Sequence, residues 1–230
     1  MSEISALKVL EPLRIPSVAD TVFEELHQQI LSLDLAPGTR MSEIEVAKAF
    51  GVSRQPVRDA FYRLSQLGFL QIRPQRATVI TKISEAAVLR AKFVRTALEI
   101  ACLRAAIEAI TDDQIKDLDE LLKEQKAAVT ADERQLFHKL DDTFHRRMCE
   151  ISGHDYVWAL IREQKAHMDR VRFLSLASGA QAALDDHVSI MDAVRKRDSM
   201  QAEALMTAHL GRISTILGRI RAENQAHFEE

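Results

Sequence analysis

The sequence predicts a mainly α-helical chain in two parts, a small helical unit with a hairpin over residues 17–82 and an all-α helical bundle over residues 84–222. Three observations carry this. The 230 residues include only seven glycines and five prolines, too few for a turn-rich all-β fold. Apolar residues recur at three- and four-residue spacing along most of the chain, the period of a helix with one buried face. Short extended runs occur in one place, on either side of residues 73–77. Residues 1–16 hold two prolines and no period and read as a flexible arm; residues 223–230 read as a tail.

The elements follow in order. Val18, Val22, Phe23, Leu26, Ile30 and Leu33 form one helical stripe with Ser17 as N-cap, and Ala36-Pro37-Gly38 ends it. Ser42 with Glu45 is a capping box that opens a short helix stopped by Gly51. Ser53 caps the next helix, with Pro56 in its first turn, where a missing N–H costs little; Gly68 closes it. Phe69–Ile72 and Thr78–Thr81 then form a hairpin. Beyond Ser84 the start signals are Ser84, Thr111 with Gln114, Asp132 with Gln135, and Asp198 with Gln201. They imply helices over about 84–109, 112–129, 133–151, 155–176, 181–197 and 199–222.

Composition narrows the function. No apolar run approaches the ~20 residues of a membrane span. Two cysteines, Cys102 and Cys149, and the lack of a basic-then-apolar leader point to a reducing, cytoplasmic setting without disulfides. The formal net charge is −3, yet residues 53–82 carry Arg54, Arg58, Arg63, Arg73, Arg76 and Lys82 against Asp59 alone. A basic island in an acidic chain is the electrostatic footprint of a nucleic-acid partner.

Helix, helix, tight turn at Gly51, helix and hairpin is the order of a winged helix-turn-helix. The second helix of such a unit reads base edges with its N-terminal side chains. Those are Ser53, Arg54 and Gln55 here, with Arg58 one turn beyond Arg54. An arginine can take guanine O6 and N7 together, and a glutamine can pair with adenine. Ser53 and the helix N-terminal amides suit a phosphate. Arg73 and Arg76 sit on the hairpin, placed to reach the minor groove or the backbone. The plain alternative, a solvated arginine face, does not account for the capped helix, the turn glycine and the hairpin together.

In the bundle, Asp141 and His145 lie four residues apart, on one helix face. His187 and His209 are each 11 residues from a turn centred on Asp198. In an antiparallel hairpin they stand at equal height, about 16 Å from that turn. Three imidazoles and a carboxylate suit one divalent ion, zinc, nickel, iron or manganese, without choosing among them. Ordinary solvated histidines are the competing reading, and His138, His154 and His167 show that the chain has spare ones. Cys149, one turn past His145, is read as a small core residue. A metallohydrolase is disfavoured: there is no HExxH and no glutamate placed as a base.

Gly51-Val52-Ser53-Arg54-Gln55-Pro56-Val57-Arg58-Asp59-Ala60-Phe61 closely resembles the signature of the GntR family of bacterial regulators. Arg95-Thr96-Ala97-Leu98-Glu99, Leu140–His145, Asp186–Ala193 and Met206–Leu210 resemble successive segments of the FCD domain, the C-terminal domain of the FadR subfamily. The resemblance implies a transcription regulator, commonly a repressor, bound as a homodimer to a palindromic operator and answering a small organic acid. It implies DNA contacts from Arg54 and Arg58 with help from Ser53 and Gln55. It also implies one divalent metal held by Asp141, His145, His187 and His209, with Arg95 facing the effector unless it is consumed by Glu99. A metal-free acyl-CoA sensor is the alternative within the superfamily. The sequence departs from the family pattern at Ile44, at Arg76-Ala77 in place of Arg-Gly, and at His154 in place of asparagine.

Overall fold

The computed structural model describes residues 16–72 and 77–230, apart from the side chains of Ala177 and Ser178. The arm over 1–15 and the hairpin residues Arg73 and Arg76 lie outside the described residues. The first unit runs α1 (Val18–Leu31), β1 (Arg40–Met41), α2 (Glu43–Phe50), α3 (Arg54–Gln66), β2 (Leu70–Gln71) and β3 (Thr78–Ile80). Ser17 and Asp20 close a reciprocal capping box at the start of α1. Gly51 has φ +65°, the left-handed conformation that ends α2 and starts the tight turn into α3. Val22, Leu26, Ile30, Val57, Ala60, Phe61 and Leu64 form the core between α1 and α3.

Among the described residues the sheet has three strands in the order β1-β3-β2, both pairs antiparallel, where the sequence suggested two strands. Gly38 N–H donates to Ile80 O (2.8 Å) and Ile80 N–H to Thr39 O (3.0 Å), which brings the turn after α1 onto the hairpin. A strand of two residues has no alternation to detect.

The second unit runs α4 (Glu85–Ala109), α5 (Asp112–Thr130), α6 (Arg134–Ile151), α7 (Tyr156–Gln164), α8 (Ala166–Arg195) and α9 (Ser199–Glu223). Its core includes Leu103, Ile107, Leu118, Phe137, Phe144, Ile190, Met191 and Met206. Two helix boundaries differ from expectation. The helices expected over 155–176 and 181–197 instead break at Lys165, and α8 runs on through Gly179 to Arg195. At the break the Lys165 ammonium is buried between Asp142 and Asp169, each 2.7 Å away. Asp132 does not cap α6: it takes φ 52°, and Arg134 opens the helix with no side-chain cap at Glu133.

The segment read as a tail is docked. A short 3-10 turn (Gln225–His227) presents Phe228, which is buried against Ile83, Val88 and Leu217. Ile83 N–H donates to His227 O (2.8 Å) and Glu229 N–H to Ile83 O (2.9 Å), so residues beyond α9 return to the boundary between the two units.

Candidate functional site

The exposed end of α3 carries the candidate reading face. Ser53 stands at its N-cap position without a side-chain cap hydrogen bond, so the cap expected from the sequence is one of position only. Arg54 and Arg58 project from α3 and converge on Glu43 of α2. Arg54 Nη2 donates to Glu43 Oε2 (3.1 Å), and Arg58 donates through Nε (3.2 Å) and Nη2 (3.0 Å). The Arg58 hydrogen bond, then that of Arg54, holds the Glu43 carboxyl below its ordinary range despite partial burial. Glu43 thus aligns two exposed arginines, a role that sequence reasoning missed. Gln55 donates to Asp59 (2.8 Å). Arg63 turns the other way, to Asp20 (2.8 Å) and over the Phe23 ring (4.0 Å), and stabilises the unit itself.

Inside the bundle, Asp141 and His145 of α6, His187 of α8 and His209 of α9 bring one ligand atom each within 4.8 Å of all the others. All four are buried. His209 Nε2 lies 3.2 Å from His145 Nε2 and 3.3 Å from His187 Nε2. The Asp141 oxygens are 3.9 Å from His145 Nε2 and 3.8 Å from His187 Nε2. Nitrogens about 2.1 Å from a common ion, at tetrahedral to octahedral angles, stand about 3.0–3.4 Å apart. The three imidazoles fit that spacing.

The opposite ring atoms decide what the Nε2 atoms can be. His145 Nδ1 contacts Glu99 Oε2 (2.6 Å), His187 Nδ1 meets Gln125 Oε1 (2.9 Å), and His209 Nδ1 meets Asp186 Oδ2 (3.1 Å). Each partner is an acceptor; at His187 and His209 the hydrogen bond places the ring proton on Nδ1, while His145 and Glu99 make a close polar contact. The Nε2 atoms of His187 and His209 then present lone pairs to each other beside His145 Nε2, an arrangement a cation resolves. Burial holds His187 well below the ordinary histidine range and His209 down to about 4, so both rings are neutral donors. Phe144 stacks on His187 at 4.2 Å and fixes its ring plane. Of the outer partners, Glu99 was visible only as a companion of Arg95. Asp186 is marked solely by its place beside His187, and Gln125 carried no signal.

A cavity of about 240 Å³ opens beside the cluster, with Asp141 and His209 at one end and Arg95, Arg172 and Arg212 on its walls. Met168, Leu176 and Ile213 supply apolar surface. Arg95 both lines this cavity and pairs with Glu99. Its Nε donates to Glu99 (2.6 Å), while its Nη2 has no hydrogen-bond partner among the described residues. Burial opposes ionisation of Glu99, and the Arg95 guanidinium beside it overrules that, so Glu99 stays an anion. Arg172, unnoticed in the sequence, pairs with Asp141, Asp142 and Asp169. Among the described residues no helix is long and apolar enough to cross a membrane.

Known proteins share this organisation. Residues 18–80 match the model of the bacterial regulatory proteins of the gntR family, and residues 93–212 match that of the FCD domain. The HTH-type transcriptional repressor RspR of Escherichia coli K12 is 40% identical over 215 residues, 93% of this chain and 94% of its own length. An uncharacterized HTH-type regulator from Streptomyces ambofaciens is 33% identical over 210 residues, 90% of this chain and 88% of its own. The fold matches that of E. coli McbR/YncC with a TM-score of 0.77 at 19% identity, over 89% of this chain and 99% of that one. A winged helix-turn-helix joined to a helical bundle with these two matches makes the chain a member of the GntR family of transcription regulators, carrying an FCD domain.

Proposed function

We propose that the chain is a repressor whose operator affinity is set by a small organic acid held at a divalent metal centre in the bundle. The single observation that carries this is the convergence of three imidazole Nε2 atoms and the Asp141 carboxylate, with an acceptor beside Nδ1 of each ring. A bound ion there supplies a Lewis-acid anchor for a carboxylate oxygen. Asp141, His145, His187 and His209 hold it, Arg95 offers its Nη2 to the acid, and the arginines lining the cavity favour an anion over a neutral ligand of the same size.

On the DNA side, Arg54 and Arg58 read bases, Ser53 and Gln55 assist, and Arg73 and Arg76 add contacts to backbone or minor groove. A homodimer places two such heads on a palindrome. Its support is an apolar pair one turn apart on α4, Leu89 and Phe93, which remain 42% and 75% exposed. The repressor sense follows the name of the E. coli relative.

The test is elemental analysis of the purified protein and of His187→Ala, together with operator titrations against a panel of small carboxylic acids. One ion per wild-type chain, none in the variant, and release of DNA by an acid in the wild type alone are expected. A metal-free wild type that still answers an acid would overturn the metal reading.

A further inference from the structure

Asp141 faces two ways. One of its oxygens points at His187 Nε2, and the other accepts from Arg172 Nη2. The same guanidinium donates through Nη1 to Asp142 Oδ1 (3.0 Å) and Asp169 Oδ1 (3.1 Å). Those carboxylates also grip the Lys165 ammonium, 2.7 Å from Asp142 Oδ2 and 2.7 Å from each oxygen of Asp169. Lys165 and Asp169 are 2% and 3% exposed, so the cluster works at low effective dielectric. Three carboxylates stand against two cations, an excess of one negative charge. A divalent ion on Asp141 reverses that excess, and Arg172 is the cation nearest to it.

Lys165 is where the bundle meets the DNA-binding unit. The next residue, Ala166, belongs to the core of that unit, and a β-carbon on Gly68 would stand 3.9 Å from its own. One turn on, Arg170 is fully buried, donates to Thr81 at the end of β3 and lies over the Phe69 ring at 5.7 Å. His167 Nδ1 accepts from Ser84 N–H (3.0 Å). A cavity of about 230 Å³ spans the junction, bounded by His27 and Phe69 on one side and by Trp158, Asp142, Lys165 and Asp169 on the other.

We propose that Arg172 reports occupancy of the metal centre to the DNA-binding unit, through Asp142, Asp169 and Lys165. The proposal rests on the metal reading above. With no ion, Arg172 shares its charge among three carboxylates and holds Asp142 and Asp169 in place around Lys165. An ion on Asp141 drives the guanidinium off that carboxylate. Asp142 and Asp169 then lose a bond each and re-seat Lys165, and the first turn of α8 shifts where it is plugged into the reading head. Mechanical transmission along α8 from His187 is the alternative, and it does not need Arg172.

The chain has one tryptophan, and it sits at the junction: Trp158 has the Lys165 ammonium 5.6 Å from its ring centroid. The experiment is a zinc titration of the full chain, followed by Trp158 emission and, separately, by chelator competition. Wild type should show an emission change that saturates at one equivalent. Arg172→Gln should bind zinc about tenfold more tightly, within the usual range of site-to-site coupling, because a competing cation has left Asp141. Its Trp158 emission should not respond. Arg172→Lys restores the charge and should return zinc affinity toward wild type and part of the emission change. An undiminished emission response in Arg172→Gln, or zinc affinity that is unchanged or weaker, overturns the relay while leaving the metal reading intact. A wild type that takes up no zinc overturns both. If Arg172→Gln does not melt cooperatively, Asp142→Asn decides instead: zinc bound with Trp158 silent supports the relay, and zinc bound with a full response refutes it.

Discussion

Glu99 Oε2 lies 2.6 Å from His145 Nδ1 while its other oxygen takes the Arg95 guanidinium at 2.6 Å. One buried carboxylate therefore orients a candidate metal ligand and neutralises a candidate effector contact. Glu99→Gln should weaken zinc uptake by about 10–100-fold, the usual cost of losing an outer partner of a metal-binding histidine. It should also lower thermal stability, because Arg95 is left buried without its counter-charge. Gln125→Leu should show the affinity loss without that electrostatic cost. Chelator competition and melting curves on the two variants separate the effects; equal affinity in all three proteins would refute the assignment.

Arg54→Ala and Arg58→Ala should each cost about 1–3 kcal/mol in operator binding if the side chain reads a base. Both side chains are more than half exposed, so the melting temperature should move little. Glu43→Ala should leave both arginines present but unaligned, with a smaller loss. Fluorescence anisotropy on DNA from upstream of the gene measures all three, and normal binding by both arginine variants would remove α3 from the DNA.

Much of this arrangement could be read from the sequence because it follows from helix geometry. The four-residue step from Asp141 to His145, and the equal distance of His187 and His209 from Asp198, place ligands in space without knowledge of packing. Residues whose role comes from a neighbour far along the chain stayed hidden. Gln125 meets His187 across 62 positions, and Arg172 meets Asp141 across 31. Glu43 aligns Arg58 across 15. The break at Lys165 was missed for the same reason. The expected gap between residues 176 and 181 spans Gly179, but α8 runs through it, and the helix boundary falls instead at Lys165, whose ammonium is buried by carboxylates.

Acid should loosen the junction between the two units. Burial, helped by the Lys165 charge, lowers His27 from 6.5 to about 4; burial, helped by Arg170, lowers His167 to about 4 as well. Between those values the unfolded chain binds protons that the folded one refuses, so stability falls as pH drops from about 6.5 toward 4. Melting temperatures measured from pH 7.5 to 5 should decline, and the slope should be shallower in His27→Gln. An unchanged slope in that variant would show that His27 does not contribute.

Ala166→Leu should destabilise the protein by about 1–3 kcal/mol through overpacking against Gly68 and the core of the reading head. Ala166→Gly should be milder. Thermal melts on both variants check this; a leucine tolerated without loss would mean that the contact is loose.

The seat of Ala166 also bears on modularity. The reading head completes its own core with a side chain that belongs to the bundle, so the head is not a self-contained cassette. Chimaeras that join this head to the sensor of a relative would have to match the residue at 166 as well as the seam near residue 83. A change of sensor specificity by wholesale domain exchange therefore meets a steric constraint that substitutions confined to the walls of the effector cavity avoid.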